Sequence, residues 1–366
     1  MTDTFRHPWQ QETGNRPHLL VTVARKARLS AFEDVLMAFE AHNLADGFGR
    51  RFSYVRLSVT EVCNFRCTYC LPDGWKKTGP LSFLTPSEIA NLASAFAGVG
   101  VTKFRLTGGE PSVRPDLIDI IANLAAVDGV KKIAMTTNGW NLDQRVNRWR
   151  NAGLSHLNVS VDSLDRETFR TITGHDKLPA VMAGIDTALG LDFAAVKMNA
   201  VLLRSTANTG FDTWAEFVRE RPVAVRFIEL MRTGDNAEYF AANYVKGSIV
   251  TDWLEERGWA PQDKHKDGGP AVEYAHPDYA GRIGLIAPYA AGFCDGCNRL
   301  RVTARGKLRL CLFGEGGCDL RDLLQDAEDK EPLTRRIAQA LSGKAAGHRL
   351  HENLPGDLLH LAQLGG

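Results

Sequence analysis

The sequence predicts an α/β fold built on a parallel sheet, and three observations carry that expectation. Six short β-rich runs recur: "YVRLSV" (54–59), "KFRLTG" (103–108), "KIAMTT" (132–137), "HLNVSV" (156–161), "VKMNAVL" (196–202) and "AVRFIEL" (224–230). Helical patterns separate them, such as "TPSEIANLASAFAGVG" (85–100) and "PDLIDIIANLAAVDG" (115–129), and such alternation calls for crossover helices between parallel strands. The chain is also long enough, at 366 residues and 44% hydrophobic, for one large domain or two ordinary ones with a full core. Periodicity leaves open whether the sheet is open and doubly wound or curled towards a barrel.

Taken in order, residues 1–49 read as an N-terminal extension with one amphipathic helix. In "LSAFEDVLMAFEAHNL", Phe32, Val35, Leu36 and Phe39 fall at helical spacing, which predicts a helix packed on the main body. Residues 50–240 hold the strand–helix alternation. Thr85 or Ser87 can cap its first helix, and Gly98 or Gly100 can end it. Residues 241–366 read differently. Helical "SIVTDWLEERGW" (248–259) leads to β-like "RIGLIAP" (282–288) and "RLRVTARGKLRLCLF" (299–313), then to helical "DLRDLLQDAED" and "PLTRRIAQALSG". A net charge of +1 gives no global reason for a nucleic-acid or membrane-surface partner. No apolar run approaches the ~18 residues of a membrane span. The start lacks the apolar core of a signal peptide. Seven cysteines, odd in number and clustered, suit reduced thiols in a cytoplasm better than a disulfide framework.

Three of those cysteines, Cys63, Cys67 and Cys70, lie within "TEVCNFRCTYC" (60–70), directly after the first β-run. Thiols this close can all point at one small object. A structural zinc site wants four closed ligands. A [4Fe–4S] cluster also usually takes four cysteines, one per iron, so three leave one iron open. The triplet favours iron–sulfur over zinc with a remote fourth ligand. The second run ends in "TGGEP" (107–111), which alone is no more than a glycine turn with a carboxylate. Both features sit at strand C-terminal ends, where parallel α/β folds collect their chemistry.

Together, the cysteine loop after one strand and "GGEP" after the next resemble the radical S-adenosylmethionine (SAM) enzymes. The resemblance implies a partial (β/α)6 TIM-like barrel, with SAM chelated on the open iron of a [4Fe–4S] cluster held by Cys63, Cys67 and Cys70. It implies that Tyr69 lies near the adenine and that Gly109 and Glu110 border the methionine amino group.

A second triplet, Cys294, Cys297 and Cys311, sits in "FCDGCNRLRVTARGKLRLCLF" (293–313), with Cys318 following. On the cysteines alone, a four-thiolate zinc ribbon including Cys318 is as good a reading. The flanking residues are similar to the GTP 3′,8-cyclase family of molybdenum cofactor biosynthesis. So are "RLSVTEVCNFRCTYC", "FRLTGGEPSVRPDL", "TTNG", "NVSVDS", "RFIELM" and the final "LGG", in order over roughly residues 50–314 and the last few. Two departures stand out: the long N-terminal segment, and "CLPDGW" where Met-Pro is expected after Cys70.

That resemblance implies a C-terminal α+β extension carrying a second [4Fe–4S] cluster on Cys294, Cys297 and Cys311, whose open iron faces the substrate. It leaves Cys318 an ordinary thiol. Arg56, Lys103, Arg105 and Lys197 are cations inside β-runs, where a buried charge without a partner is costly. Each alone is as well explained by a strand end or an ion pair; four facing one cavity would suit a phosphate site. The resemblance assigns these four, with Thr136, Arg299 and Arg301, to GTP, and Ser160 and Met231 to SAM. It assigns catalytic roles to Arg299, Arg301 and the terminal Gly365 and Gly366. It implies a 5′-deoxyadenosyl radical that takes the C3′ hydrogen of GTP, closure of C3′ onto C8, and (8S)-3′,8-cyclo-7,8-dihydroguanosine 5′-triphosphate as product. An electron donor and a functional hand-off to cyclic pyranopterin monophosphate synthase follow as expected partners, with the chain a monomer or homodimer. Two rivals remain at this point: a peptide-modifying radical SAM enzyme with an auxiliary cluster, and a non-enzymatic zinc module.

Overall fold

The computed structural model describes residues 44–365 apart from 78, 264–267 and 327. Phe32, Val35, Leu36 and Phe39, and with them the helix expected in the N-terminal extension, lie outside the described residues.

Six strands run parallel in chain order, each hydrogen-bonded to the next: β1 (Tyr54–Thr60), β2 (Lys103–Gly108), β3 (Lys132–Thr137), β4 (His156–Ser160), β5 (Ala195–Leu202) and β6 (Ala224–Glu229). Each matches a β-rich run of the sequence to within one residue at either end. Helices fill the crossovers, among them α1 (Pro86–Gly98), α2 (Leu117–Ala125), α3 (Leu142–Asn151), α4 (Arg166–Thr173) and α5 (Leu178–Leu189). Thr85, not Ser87, caps α1. Its hydroxyl accepts the Glu88 N–H at 3.2 Å, and the Glu88 carboxylate accepts the Thr85 N–H at 2.7 Å, closing a capping box.

The strands are two-sided. Val55, Leu57 and Val59 of β1, Phe104 and Leu106 of β2, and Leu157 and Val159 of β4 are buried on one face. The helices add Ile89, Leu92, Phe96, Ile120 and Ile121 to this layer, all fully buried. Truncating such a side chain costs about 2–5 kcal/mol. The alternate residues are polar or charged and form the other face, which is unusual for parallel strands and marks that face as the site.

The C-terminal region does more than extend the barrel. Its strand β9 (Arg282–Ile286) pairs parallel with β6, and β10 (Arg299–Val302) pairs parallel with β1. The six strands therefore become eight, in the order β10-β1-β2-β3-β4-β5-β6-β9. Short antiparallel strands finish each edge: β7 (Ala260–Pro261) and β8 (Val272–Ala275) beyond β9, and β11 (Lys307–Arg309) and β12 (Cys318–Asp319) beyond β10. Among the described residues the two ends of the sheet do not pair with each other, so the barrel is partial. A strand far along the chain can join either free edge, and sequence spacing does not say which. Before β1, Leu44 and Phe52 are buried, and their backbones bond to Val99 O and Leu44 O. No helix among the described residues is long and apolar enough to cross a membrane.

Candidate active site

The first cysteine loop leaves the C-terminal end of β1. Phe65 anchors it: the ring is buried and stacks on His175 at 5.0 Å, with Trp140 and Phe169 edge-on. The backbone N–H groups of Arg66 and Thr68 donate to Thr173 O and Ile172 O at the end of α4. Gly108 and Gly109 make room for this loop. A Cβ on Gly109 would lie 2.4 Å from Val62 O, and one on Gly108, at φ +145°, would lie 2.2 Å from Thr60 O. The glycines that the resemblance places beside SAM thus first make space for the chain itself. Glu110 is also engaged within the protein. Its carboxylate accepts from Ser112 N–H (2.9 Å), Thr137 Oγ1 (2.7 Å) and Asn138 N–H (2.6 Å), tying the β2 and β3 ends together. Tyr69 donates to Asp162 at 3.0 Å, and burial lifts the Asp162 carboxyl to about 6.

Cys63, Cys67 and Cys70 are free thiols gathered by this loop. Burial pushes Cys63 up to about 11 and Cys70 up to about 12, and Cys67 rises well above its ordinary value. The other charges acting against their ionisation are Glu110, Asp162, Asp235 and one another. Three buried thiols crowded among carboxylates become thiolates only if a cation joins them. Among the described residues no three His, Cys, Asp or Glu side chains close on a single metal ion. The donor set fits a cluster that takes one thiolate per iron.

Beside the loop, the polar face of the sheet encloses a cavity of about 780 Å³. In-register pairs place Arg301, Arg56 and Arg105 in one row and Arg299, Tyr54, Lys103 and Lys132 in the next. Arg56, Lys103, Arg105 and Lys197 all line this cavity, as do Met231, Arg299 and Arg301. Lys132, Arg226 and Arg282 join them, making nine lysines and arginines against a single carboxylate, Glu273. Arg226 was missed by sequence reasoning. Its signal was the one that exposed Arg105, a cation inside a β-run at two-residue alternation. Thr136 is not among the residues that line the cavity; its hydroxyl accepts from Arg105 Nη1 at 3.2 Å.

Crowding shows in the ionisation. Burial and neighbouring cations push Lys103 down to about 8 and His156 to about 4. Arg56 and Arg226 fall to about 10, chiefly by burial, and Arg301 drops further. Burial would raise Tyr54, but Arg105, Arg56 and Lys103 outweigh it and bring the phenol to about 7; its oxygen accepts from Arg105 Nε at 2.6 Å. Lys197 is held to Glu273 at 2.5 Å, and Arg226 to Asn199 Oδ1 at 2.7 Å. Like charges packed at this density store repulsion that a polyanion relieves.

The second triplet lines the same cavity. Cys294 and Cys297 share a tight turn, with Cys297 N–H donating to Cys294 O at 3.1 Å, and Cys311 follows β11. Burial opposes ionisation of Cys297, but Arg299 and Lys344 bring its thiol below the ordinary value. Cys294 is raised by burial, with Cys311 and Cys297 adding repulsion. Cys318 stands apart on the outermost short strand, its thiol 3.6 Å from Asp319 O.

The segment 354–365 runs between the two triplets. Leu358, Leu361 and Leu364 pack with Leu312 and Phe313, and Tyr69, Cys70, Met231 and Cys311 border that patch. Gly365 O accepts from Arg56 Nη2 (2.7 Å) and Arg301 Nη1 (3.1 Å). At φ +61°, a Cβ on Gly365 would lie 2.0 Å from Thr107 Oγ1 and 2.7 Å from Gly108 N, so only glycine fits. Gly366 lies outside the described residues. Ser160 closes β4, half-buried, at the same end of the sheet.

Comparison with known proteins adds the lineage. The radical SAM superfamily profile matches residues 57–217, and the Molybdenum Cofactor Synthesis C profile matches residues 223–350. A GTP 3′,8-cyclase of Stenotrophomonas maltophilia strain K279a is 55% identical over 323 residues, 88% of this chain and 99% of that protein. The GTP 3′,8-cyclase of strain R551-3 is 54% identical over the same shares. Among solved structures, Streptococcus suis SuiB bound to S-adenosylmethionine is similar with a TM-score of 0.57 at 12% identity, covering 89% of this chain and 80% of that one. SuiB bound to the precursor peptide SuiA gives 0.54 at 12% identity, over 99% and 84%. At that identity the likeness speaks for the fold alone.

Proposed function

The chain belongs to the GTP 3′,8-cyclase family of radical SAM enzymes, and we propose that it converts GTP to (8S)-3′,8-cyclo-7,8-dihydroguanosine 5′-triphosphate, the first step of molybdenum cofactor biosynthesis. The carrying observation is the cation-lined cavity bordered by the second cysteine triplet, a short way from the first. A nucleoside triphosphate offers the charge this cavity is short of, and Lys and Arg are the usual phosphate partners.

In this reading Cys63, Cys67 and Cys70 hold a [4Fe–4S] cluster whose open iron takes SAM. Tyr69, Gly109, Glu110, Ser160 and Met231 surround SAM. Glu110 acts by holding the loop, since its carboxylate is already bonded within the protein. Cys294, Cys297 and Cys311, which line the cavity, would hold a second cluster. When bound, the SAM cluster supplies a 5′-deoxyadenosyl radical able to take the C3′ hydrogen of GTP, so that C3′ can bond to C8. The chain's own work is placement. Arg56, Lys103, Arg105, Lys197 and Arg226 grip the triphosphate and fix the sugar against the first loop. Thr136 holds Arg105 in position. Arg299 and Arg301 reach the substrate from the second triplet's side. Gly365 carries the terminal segment onto Arg56 and Arg301, beside Thr107 and Gly108, where a larger residue would collide. Packed leucines of the same segment keep water out between the triplets.

An electron donor must supply two electrons, one to cleave SAM and one that, with a proton, quenches the nucleotide radical left by ring closure, and the product goes on to cyclic pyranopterin monophosphate synthase. A cytoplasmic setting agrees with seven cysteines that are all free. The test is anaerobic. The purified protein is assayed for iron and sulfide, then given SAM, reductant and GTP, and the cyclised nucleotide is sought by mass. About eight irons per chain with GTP-dependent 5′-deoxyadenosine is the expected result. SAM cleavage indifferent to GTP would send the substrate assignment back to a peptide-modifying enzyme.

A further inference from the structure

Two buried cations next to the second triplet take no part in the cavity. The Arg50 side chain is 7% exposed and that of Asp46 is fully buried; the two meet through Arg50 Nε at 2.7 Å and Nη2 at 2.6 Å. The same carboxylate accepts the Phe48 and Arg50 N–H groups at 3.0 Å, so its orientation is fixed. The remaining guanidinium donors go to main-chain oxygens: Cys294 O at 3.2 Å, Ala345 O at 2.7 Å, and Ala346 O. Lys344, from that last loop, is 6% exposed. Its ammonium donates to Leu310 O, one residue before Cys311, and lies 5.4 Å from the Phe52 ring.

We propose that Asp46, Arg50 and Lys344 form a brace that positions the second iron–sulfur cluster and balances its charge, an inference that rests on the two-cluster reading above. The brace grips the backbone at or beside Cys294 and Cys311 from two chain segments, Asp46 and Arg50 on one and Lys344 on the other, with 295 residues between Arg50 and the Ala345 that follows Lys344. Its charges differ in kind. Arg50 is neutralised by Asp46, so its fork serves geometry. Lys344 has a carbonyl and no carboxylate partner among the described residues, so its buried charge is unbalanced in the protein alone. A four-iron cluster carrying three thiolates is net negative in its usual oxidised state and supplies the balance. Arg50 and Lys344 are therefore positioning residues that act through the cluster.

The experiment compares wild type with Arg50→Lys, Lys344→Met and Lys344→Arg, each purified anaerobically and reconstituted. Iron per chain, melting temperature and the electron paramagnetic resonance potentiometric titration of each cluster are measured. The SAM-responsive signal identifies the first cluster and the GTP-responsive signal the second. Arg50→Lys should lose the second cluster, dropping from about eight irons to about four, with the SAM response kept. Lys344→Met should move the second cluster's midpoint to a more negative potential and leave the first unmoved, and Lys344→Arg should restore it. Eight irons and unshifted potentials in both Arg50→Lys and Lys344→Met would overturn the brace. So would a uniform loss of both clusters with a lower melting temperature, which marks a plain folding role. Four irons in the wild type would remove the second cluster itself, a failure distinct from that of the brace.

Discussion

The two cysteine triplets solve the same chemical task in opposite ways. The first is local: one loop of eight residues carries all three thiols, and strand ends, Phe65 and paired glycines hold it. Its surroundings are carboxylates, and all three thiols are pushed up. The second is assembled from a turn and a strand end, with Arg50 and Lys344 bracing it from elsewhere in the chain. Its surroundings are cationic, and Cys297 is pushed down. Cations beside thiolates favour a more reduced cluster and an anionic substrate. The difference teaches that the two triplets are set in electrostatic surroundings of opposite sign.

The largest effect that can break this comparison is at the first triplet. Cys67→Ser should take 5′-deoxyadenosine formation below detection, with or without GTP, while the GTP-responsive signal of the second cluster survives. Cys297→Ser should do the converse. SAM cleavage continues at a reduced rate, cyclised product disappears by mass analysis, and iron falls by about half. If Cys297→Ser still cyclised GTP at the normal rate, the substrate-holding role of the second triplet would be wrong.

A milder change tests whether the first loop is held locally. Gly109→Ala puts a methyl 2.4 Å from Val62 O, so the loop must shift. The expected outcome is slow, incomplete loading of the first cluster with the second unaffected, read as unequal signal intensities after reconstitution.

Charge at the cavity is testable by pH. Lys103 sits at about 8 against an ordinary 10.5. Between those values the unfolded chain binds the extra proton, so this group makes the substrate-free protein more stable as pH rises from about 8 to 10.5. An arriving triphosphate raises the lysine again. GTP binding should therefore take up protons near pH 8.5 and weaken as pH rises above about 8. Calorimetry in two buffers of different ionisation enthalpy reads this directly; proton release on binding would contradict it. The smallest effect is at Cys318. Cys318→Ser should leave iron content, both signals and product formation unchanged, because its thiol sits on the outermost short strand against its neighbour's carbonyl. A loss of the second cluster would restore the ribbon reading of the second triplet.

Much of this was legible in sequence because it is local. Six β-runs with intervening helices named the sheet, and the alternation of Arg56, Lys103, Arg105 and Lys197 with apolar residues already marked a charged face. The same alternation in "AVRFIEL" announced Arg226, which was overlooked because one arginine in an apolar run is commonly an edge residue. Glu110 was read for its carboxylate, yet that carboxylate is spent on Ser112, Thr137 and Asn138. A sequence does not show which backbone donors a buried acid will meet.

What the sequence by itself determined is therefore short-range: strand and helix identity, the thiol spacing of each triplet, the sidedness of the strands and the kinship those motifs carry. These depend on periods of two and 3.6 residues and on contacts within one loop. Tertiary structure alone decided the rest. It placed β9 and β10 on opposite edges of one sheet, laid Gly365 across Arg56 and Arg301, and brought Asp46, Arg50 and Lys344 to the second triplet. Such meetings depend on which free edge and which unsatisfied carbonyl a distant segment reaches. That choice is made by burial and hydrogen-bond completion over the whole molecule, and no local pattern records it.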